Sequence, residues 1–312
     1  MSITTEQAKT GKFAGIVTHT GNAHMDDFLA TAVLTARYPD KILVRTSEKA
    51  AMFPTFLARD DVYVVDIGRE YKPNKLNFDH HQFGPGDGNV APLCSLSLVL
   101  MHFKLYDLAK DLWPWLTRLE YCDVLGPLAA MREAGIPTEA RLQHGFIAPT
   151  DEFLLNMFSK VHVITPEDTR AIVGVWRNIG VTLLSTLAIY PRLIRQLETL
   201  QPTIIPNTDI EIMNISVELA SLAGDKFSCI FAWLRKYRPK VGIIITPDTR
   251  GAKYSLVRLD DHPMIDFNRA IPNSLLGYVH HNGFVAKMTR GDFTDALQIC
   301  YKAVYHTSNQ QQ

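Results

Sequence analysis

The sequence predicts an α/β fold: a domain built on a parallel sheet, followed by a second, smaller α/β unit. Three observations carry this. In the N-terminal half, short apolar runs alternate with helical periodicity, the pattern of parallel strands joined by crossover helices. Two of those runs end on clusters of carboxylates and imidazoles. A polar stretch with two prolines, Gln201 to Thr208, interrupts periodic structure on both sides and divides the chain into residues 1–200 and 201–312.

The elements follow in order. Phe13 to Thr18 reads as a buried strand. A helix from Asp26 to Tyr38 places Met25, Phe28, Leu29, Ala32, Val33 and Ala36 along one face. Lys41 to Thr46 and Val62 to Asp66 are further strands. Pro92 to Leu108 and Leu112 to Glu120 are apolar enough for helices, the second entered or kinked near Pro114. Trp113 and Trp115 read as core or lid packing. Thr138 to Lys160 is mixed, suited to a cap over a site, and helical periodicity returns from Glu167 to Leu197. In the second unit, Ile210 to Val217, Val241 to Thr246 and Ala252 to Leu259 read as strands, with helices at Lys226 to Arg235 and Phe293 to Val304. The terminal Gln-Gln-Gln reads as a frayed end. No internal repeat or low-complexity tract is present.

His19, His24, Asp26 and Asp27 stand where the first strand gives way to the first helix, the edge at which α/β sheets gather ligands. The two aspartates fall in the first helical turn, where the macrodipole favours their ionised form. The second apolar run ends on Asp66, and Asp79-His80-His81-Gln82 follows. A single strand-end aspartate is ordinarily a cap, and a single His pair is ordinarily a surface or packed pair. Two such clusters at one predicted sheet edge point to a metal site. Carboxylates mixed with imidazoles, without thiolates, suit Mn²⁺, Mg²⁺, Fe²⁺ or Zn²⁺. A carboxylate able to bridge suggests two ions.

The order His19, His24-Met25-Asp26, Val64-Val65-Asp66 and Asp79-His80-His81 resembles motifs I to III of the DHH phosphoesterase superfamily. More narrowly, Thr18 to Asp27 with Asp79 to Gln82 resembles the melanocyte-proliferating-gene-1 family, as does Tyr278-Val279-His280-His281-Asn282-Gly283-Phe284 near the other end. The resemblance implies a metal-dependent hydrolase with 3′-to-5′ RNA exonuclease activity. It implies a DHH-type catalytic domain over 1–200 and a DHH-associated substrate domain over 201–312. Position by position, it implies His19, His24 and Asp66 on one metal, with Asp26, Asp66, His80 and a fourth-motif aspartate on the other. Asp66 would bridge, Asp66 and Asp26 would hold the attacking water, and His81 would face the phosphate. Asp123 is the choice for the fourth motif and Glu120 the alternative. Asp27 reads either as a helix-start carboxylate or as a partner behind the ligands. Two Mn²⁺ ions are the expected cofactors.

In the second unit, Gly283 beside His280 and His281 is the kind of loop that lets a phosphate approach main-chain amides. With Lys253 and Arg290, these residues form a candidate anion-binding wall for substrate. Lys287 and Arg258 are nearby basic residues.

Composition narrows the partners. Across 312 residues, 32 Lys and Arg balance 32 Asp and Glu. With zero net charge there is no global pull on a polyanion, so nucleic-acid binding needs a local patch. The expected substrates are short RNA or DNA, or a small phosphate compound such as pyrophosphate, a nucleotide or a cyclic dinucleotide. A noncatalytic metal- or nucleotide-binding regulator is the remaining alternative. Cys94, Cys122, Cys229 and Cys300 form no Cys-x-x-Cys pair, so neither a zinc ribbon nor a redox motif is indicated. The opening residues show neither a secretory nor a transit pattern, and no apolar run reaches the length of a membrane span. No membrane partner is therefore expected, and the cytoplasm is the default compartment, with organelle import as the alternative.

Overall fold

The computed structural model describes residues 15–83, 92–137, 149–223, 227–248 and 251–305. Phe13, Lys226, the opening part of the predicted cap (138–148) and the terminal glutamines lie outside them. The fold is mixed α/β with a parallel sheet. The chain divides into two compact units, with the division between Ala188 and Ile189.

The first unit contains β1 (Gly15–His19), α1 (Met25–Arg37), β2 (Ile42–Thr46), α2 (Phe53–Ala58), β3 (Tyr63–Val65), β4 (Tyr71–Lys72), β5 (Asn77–Phe78), α3 (Ser95–His102), α4 (Tyr106–Leu112), α5 (Pro114–Leu125), α6 (Pro127–Glu133), α7 (Pro149–Ser159), β6 (Val163–Ile164) and the start of α8 (Ala171–Thr199). The strand order is β4-β5-β3-β1-β2-β6. β2, β1, β3 and β5 run parallel, and β4 and β6 close the two edges antiparallel. β1 is buried over Gly15 to Thr18, as expected of a parallel strand covered on both faces. Val17, Val44 and Val64 pack with Phe53, Phe56 and Ile67 in one cluster.

α1 is buried from Asp26 to Thr35, so it is wrapped by protein rather than presenting the single apolar face its periodicity predicted. Gly180 shows how close the wrapping is: a Cβ there would lie 2.1 Å from the Ala32 carbonyl oxygen. Trp176 Nε1 donates to the Phe28 carbonyl (3.0 Å). The predicted Pro92 to Leu108 helix is two helices, because Lys104 turns the chain at φ 57. Pro114 starts α5 rather than kinking it, its missing N–H being free of cost in a first turn. Trp113 is buried and stacks on the half-exposed Trp115 at 5.1 Å.

α8 corrects one sequence expectation. Among the described residues it is the one helix long and apolar enough, by length and composition, to cross a membrane. Its Trp176, Leu187, Tyr190, Leu193 and Leu197 are buried within the protein.

The second unit adds β7 (Thr203–Ile204), β8 (Glu211–Asn214), α9 (Val217–Ala223), α10 (Phe227–Tyr237), β9 (Val241–Pro247), β10 (Tyr254–Arg258), β11 (Leu276–Val279), β12 (Val285–Met288) and α11 (Phe293–Ala303). Its sheet runs β11-β12-β10-β9-β8-β7 and is antiparallel except for β8 beside β9. The prolines of the predicted linker flank β7. One core of this unit joins Ile243, Ile245, Leu256, Ala286 and Met288 to Ala296, Ile299 and Cys300 of α11.

Candidate metal centre and active site

Parallel pairing explains why separated motifs meet. β5, β3 and β1 are neighbours running the same way, so His19, Asp66 and Asp79-His80-His81, each at or just beyond a strand's C-terminal end, share one sheet edge. Asp66 is turned off β3 at φ 56, in the left-handed region that Asp tolerates better than most residues. Its two oxygens then serve two sides: His19 Nε2 lies 3.3 Å from Oδ2 and His80 Nε2 lies 3.1 Å from Oδ1. α1 brings Asp26 to the same place, with Oδ2 3.9 Å from His80 Nε2. α5 brings Asp123, whose Oδ2 is 2.9 Å from that nitrogen. His24 is exposed at the start of α1, and its ligand atom lies within 4.8 Å of those of His19 and Asp66, and of those of Asp26 and Asp123.

The fit of a cation can be tested on the atoms themselves. His19 Nε2, Asp26 Oδ1, Asp66 Oδ2, His80 Nε2 and Asp123 Oδ2 are buried yet have no hydrogen-bond partner. Buried polar atoms are nearly always satisfied, so five such atoms on one cluster of imidazoles and carboxylates point to a common partner. His19 Nδ1 donates to the Thr20 carbonyl (3.0 Å), which leaves Nε2 as the lone-pair nitrogen a metal requires. The cluster can therefore hold divalent metal.

Protonation tells the same story. Burial opposes charge on the imidazoles, yet Asp66 and Asp27 lift His19 to about 9. Asp123 and Asp66 likewise overcome burial at His80 and lift it to about 11. Burial, with Asp66 and Asp123 alongside, pushes Asp26 well above the usual carboxylate range, and burial raises Asp27 to about 7. At Asp66 burial is overcome by the contacts of His19 and His80, which hold the carboxyl below its usual range. Burial at the first turn of α1 thus outweighs the dipole that was expected to keep both aspartates ionised.

The residues behind the cluster are firmly held. Asp27 Oδ1 accepts from the His24 backbone N–H (2.7 Å) and Oδ2 lies 3.7 Å from His19 Nε2, so both readings of Asp27 find a contact. The Ser95 backbone N–H donates to Asp26 (3.2 Å) and the Ser95 hydroxyl donates to Asp66 (3.0 Å). Asp79 Oδ1 accepts from His81 Nδ1 (2.7 Å) and lifts the half-exposed His81 above its ordinary value. Buried Arg45 donates to the carbonyls of His19, Gly21 and Phe158, fixing the loop between β1 and α1.

The structure brings Asp123 to the cluster and holds Glu120 away from it. Glu120 accepts from Ser97 (2.6 Å), Tyr106 (2.8 Å) and Lys110 (2.7 Å). Asp123→Asn is therefore expected to lose bound metal, and in a chelator to cost the protein the stability that its pairing with His80 lends. Glu120→Gln should keep its metal while lowering the melting temperature, and metal content separates the two.

A pocket of about 340 Å³ opens above the cluster, lined by His19, His24, Asp66 and His81 together with Lys49 and Arg69. Sequence reading missed Lys49 and Arg69. The signal was available, because both lie just beyond the C-terminal ends of β2 and β3, where the sheet-edge rule places ligand contacts.

In the second unit His280 is half-buried, while His281, Lys253 and Arg290 are exposed. Arg290 donates to the Ser274 carbonyl (3.3 Å). Gly283 has φ 64, but the space beside it is filled: a Cβ would meet Asp266 Oδ1 at 1.8 Å. The glycine therefore admits a carboxylate of its own chain rather than a phosphate. Of the proposed wall only His280 lines the pocket found there, and Lys287 is its lysine in place of Lys253 or Arg290.

Comparison with known proteins finds similarity over one segment of the chain. Residues 15–111 match the MYG1_exonuc family model, described as an uncharacterised protein family (UPF0160). The stretch that supplies most of the cluster is MYG1-like. A MYG1 exonuclease of Homo sapiens is 37% identical over 99 residues, covering 28% of this chain and 25% of that protein. The MYG1 protein of Dictyostelium discoideum is 33% identical over 94 residues, covering 28% and 27%. The match thus spans about a quarter of these relatives. Among solved structures, a pGpG-specific phosphodiesterase from Vibrio aligns over 91% of this chain and 95% of its own, at 12% identity and a TM-score of 0.29. A Methanococcus jannaschii protein described as a family II inorganic pyrophosphatase aligns over 93% and 99%, at 12% identity and a TM-score of 0.24. Neither superposition is close enough to carry an argument. The MYG1-like segment contains His19 through His81, whereas Asp123 and the whole second unit lie beyond it.

Proposed function

We propose that the protein is a divalent-metal-dependent phosphoester hydrolase acting as a 3′-to-5′ exonuclease or phosphodiesterase on short oligonucleotides, with a DHH-type catalytic unit and a DHH-associated substrate unit. The observation that carries this is the set of five orphaned, buried ligand atoms on His19, Asp26, Asp66, His80 and Asp123. His24 completes the set from its exposed position. A pair of divalent ions, for which Mn²⁺ is the best match to hard oxygens and borderline nitrogens, would supply Lewis acidity and a water acidified toward neutrality.

The chain's own groups do the rest. Asp66, with an oxygen toward each histidine, would help hold the metal on both sides. Ser95 fixes the rotamers of Asp26 and Asp66, and Arg45 fixes the backbone that presents His19. His81, charged more readily because Asp79 accepts from Nδ1, can donate from Nε2 to a phosphate oxygen as negative charge builds there. Lys49 and Arg69 line the pocket where further phosphate oxygens would sit.

Zero net charge supports a second reading, hydrolysis of a small phosphate compound, because nothing global draws in a polyanion. One assay decides between them: Mn²⁺-loaded protein incubated in parallel with a 5′-labelled RNA ladder, dinucleotides and pyrophosphate. Shortening of the RNA from its 3′ end is the expected result. Cleavage of pyrophosphate alone would establish the second reading, and no cleavage of any substrate would overturn both.

A further inference from the structure

We infer that the smaller unit carries a pocket for a nucleobase, formed on the open face of its antiparallel sheet. The inference rests on the reading of the substrate as a nucleotide. It begins from strand register. Thr246 pairs with Ser255, Ser255 with Lys287, and Lys287 with Tyr278, so four side chains from β9, β10, β12 and β11 stand in one row on one face. The next row over, Ile245, Leu256 and Ala286, points the other way into the core beneath α11. The polar row forms the floor of a pocket of about 460 Å³, within the usual range of small-molecule sites.

Aromatic rings stand around this floor. Phe231 of α10, Tyr278, His280 and Phe284 all line the pocket. Tyr278 is 49% exposed and Phe284 is 38% exposed. The His280 and Phe284 rings are 4.1 Å apart, and Tyr278 meets His280 edge-on at 6.5 Å. Single exposed aromatics are ordinary on a protein surface. Rings gathered over a row of hydroxyl and amine groups form an amphipathic slot: faces to stack on, and donors and acceptors at the bottom.

The charge of the floor selects the ligand. Lys287 is paired with the buried Asp248 carboxylate, which also accepts from Ser255 (2.6 Å) and from the Ala252 backbone N–H (3.2 Å). The lysine's charge is therefore cancelled within the pocket, and Lys253 and Arg290 do not line it. Among the described residues a phosphate finds no unpaired cation in the floor. A flat, neutral heteroaromatic ring with hydrogen-bonding edges matches the site, and the base of a nucleotide is such a ring. Sheet faces that carry aromatic side chains bind single-stranded bases by stacking in this manner.

The test titrates the full chain, in EDTA, with adenosine, guanosine, cytidine and uridine, with ribose as the base-free control, followed by saturation-transfer NMR. Nucleosides should bind and ribose should not. Tyr278→Ala and Phe284→Ala should each weaken nucleoside binding about tenfold. Both side chains are exposed, so an unchanged melting temperature checks that the fold is intact. Ser255→Ala should change the ranking of the four bases. Ribose binding as well as the nucleosides, or nucleoside binding that survives both aromatic truncations, would overturn the pocket. Because the titration needs no metal and no cleavage, the two readings fail separately. Absent nucleoside binding with RNA hydrolysis intact removes the pocket alone, and absent hydrolysis with nucleoside binding intact removes the hydrolase reading alone.

Discussion

Asp66→Asn is expected to bring hydrolysis below detection, with loss of bound Mn²⁺, whereas Asp27→Asn should retain measurable activity reduced about 10- to 100-fold. The asymmetry follows from placement. Asp66 stands between His19 and His80, at 3.3 and 3.1 Å, and has a buried oxygen with no hydrogen-bond partner. An amide nitrogen put at that oxygen would turn N–H groups toward the place a cation must occupy. Asp27 instead accepts from the His24 backbone (2.7 Å), lies 3.7 Å from His19, and has Arg45 at 3.9 Å. Its loss disturbs the orientation of a ligand without deleting one. Metal content by elemental analysis, read beside the rate, is the deciding measurement. Equal losses of metal and activity in the two variants would show that the roles are assigned wrongly.

The sequence was most legible where one strong local signal sufficed. Val and Ile runs ending on Asp or His betrayed β1 and β3, and β1 to β3 sit within the predicted bounds to within a residue or two. It was least legible where structure is set by partners. β4, β5 and β6 have two residues each, too few to show a period of two. The predicted strand over Ile210 to Val217 ends early because the Ser216 hydroxyl accepts from the Leu219 backbone N–H (3.1 Å) and starts α9. β11 and β12 present a mixed polar and apolar face, since one side of that sheet is open, and no apolar run announces them. Asp123 and Glu120 lie one turn apart on α5, and only the neighbours supplied by α3 and α4 distinguish them: Ser97, Tyr106 and Lys110 take Glu120. The row from Thr246 to Tyr278 joins four strands by register alone, so no local pattern could disclose it.

The stability of the metal-free protein is expected to fall as pH rises, and added Mn²⁺ should reverse that fall. The sign comes from four groups that agree. His19 and His80 are raised from 6.5 to about 9 and about 11, so the stability they lend is complete below pH 6.5 and is lost as pH passes through those values. Asp27, raised from 3.8 to about 7, is a carboxyl that the fold prefers neutral, so its contribution is present below 3.8 and is lost by about 7. Asp26 is raised in the same direction. In the absence of a cation, protons on these residues supply the positive charge the cluster lacks. Binding metal must displace them, and at pH 7 loading should release at least two protons, those of His19 and His80, with Asp26 and Asp27 adding to the count. Titration calorimetry in buffers of different ionisation enthalpy counts them. Melting curves between pH 6 and 9 give the other half of the test. In EDTA the melting temperature should decline with pH, whereas Mn²⁺ at about 100 times its pH 6 Kd adds about 2.7 kcal/mol per site at pH 6. The same Mn²⁺ concentration should add more at pH 8, because fewer protons stand in the way and Kd is lower. A metal-induced gain that shrinks with rising pH would mean that the imidazoles are not ligands and that the orphaned atoms answer to some other partner.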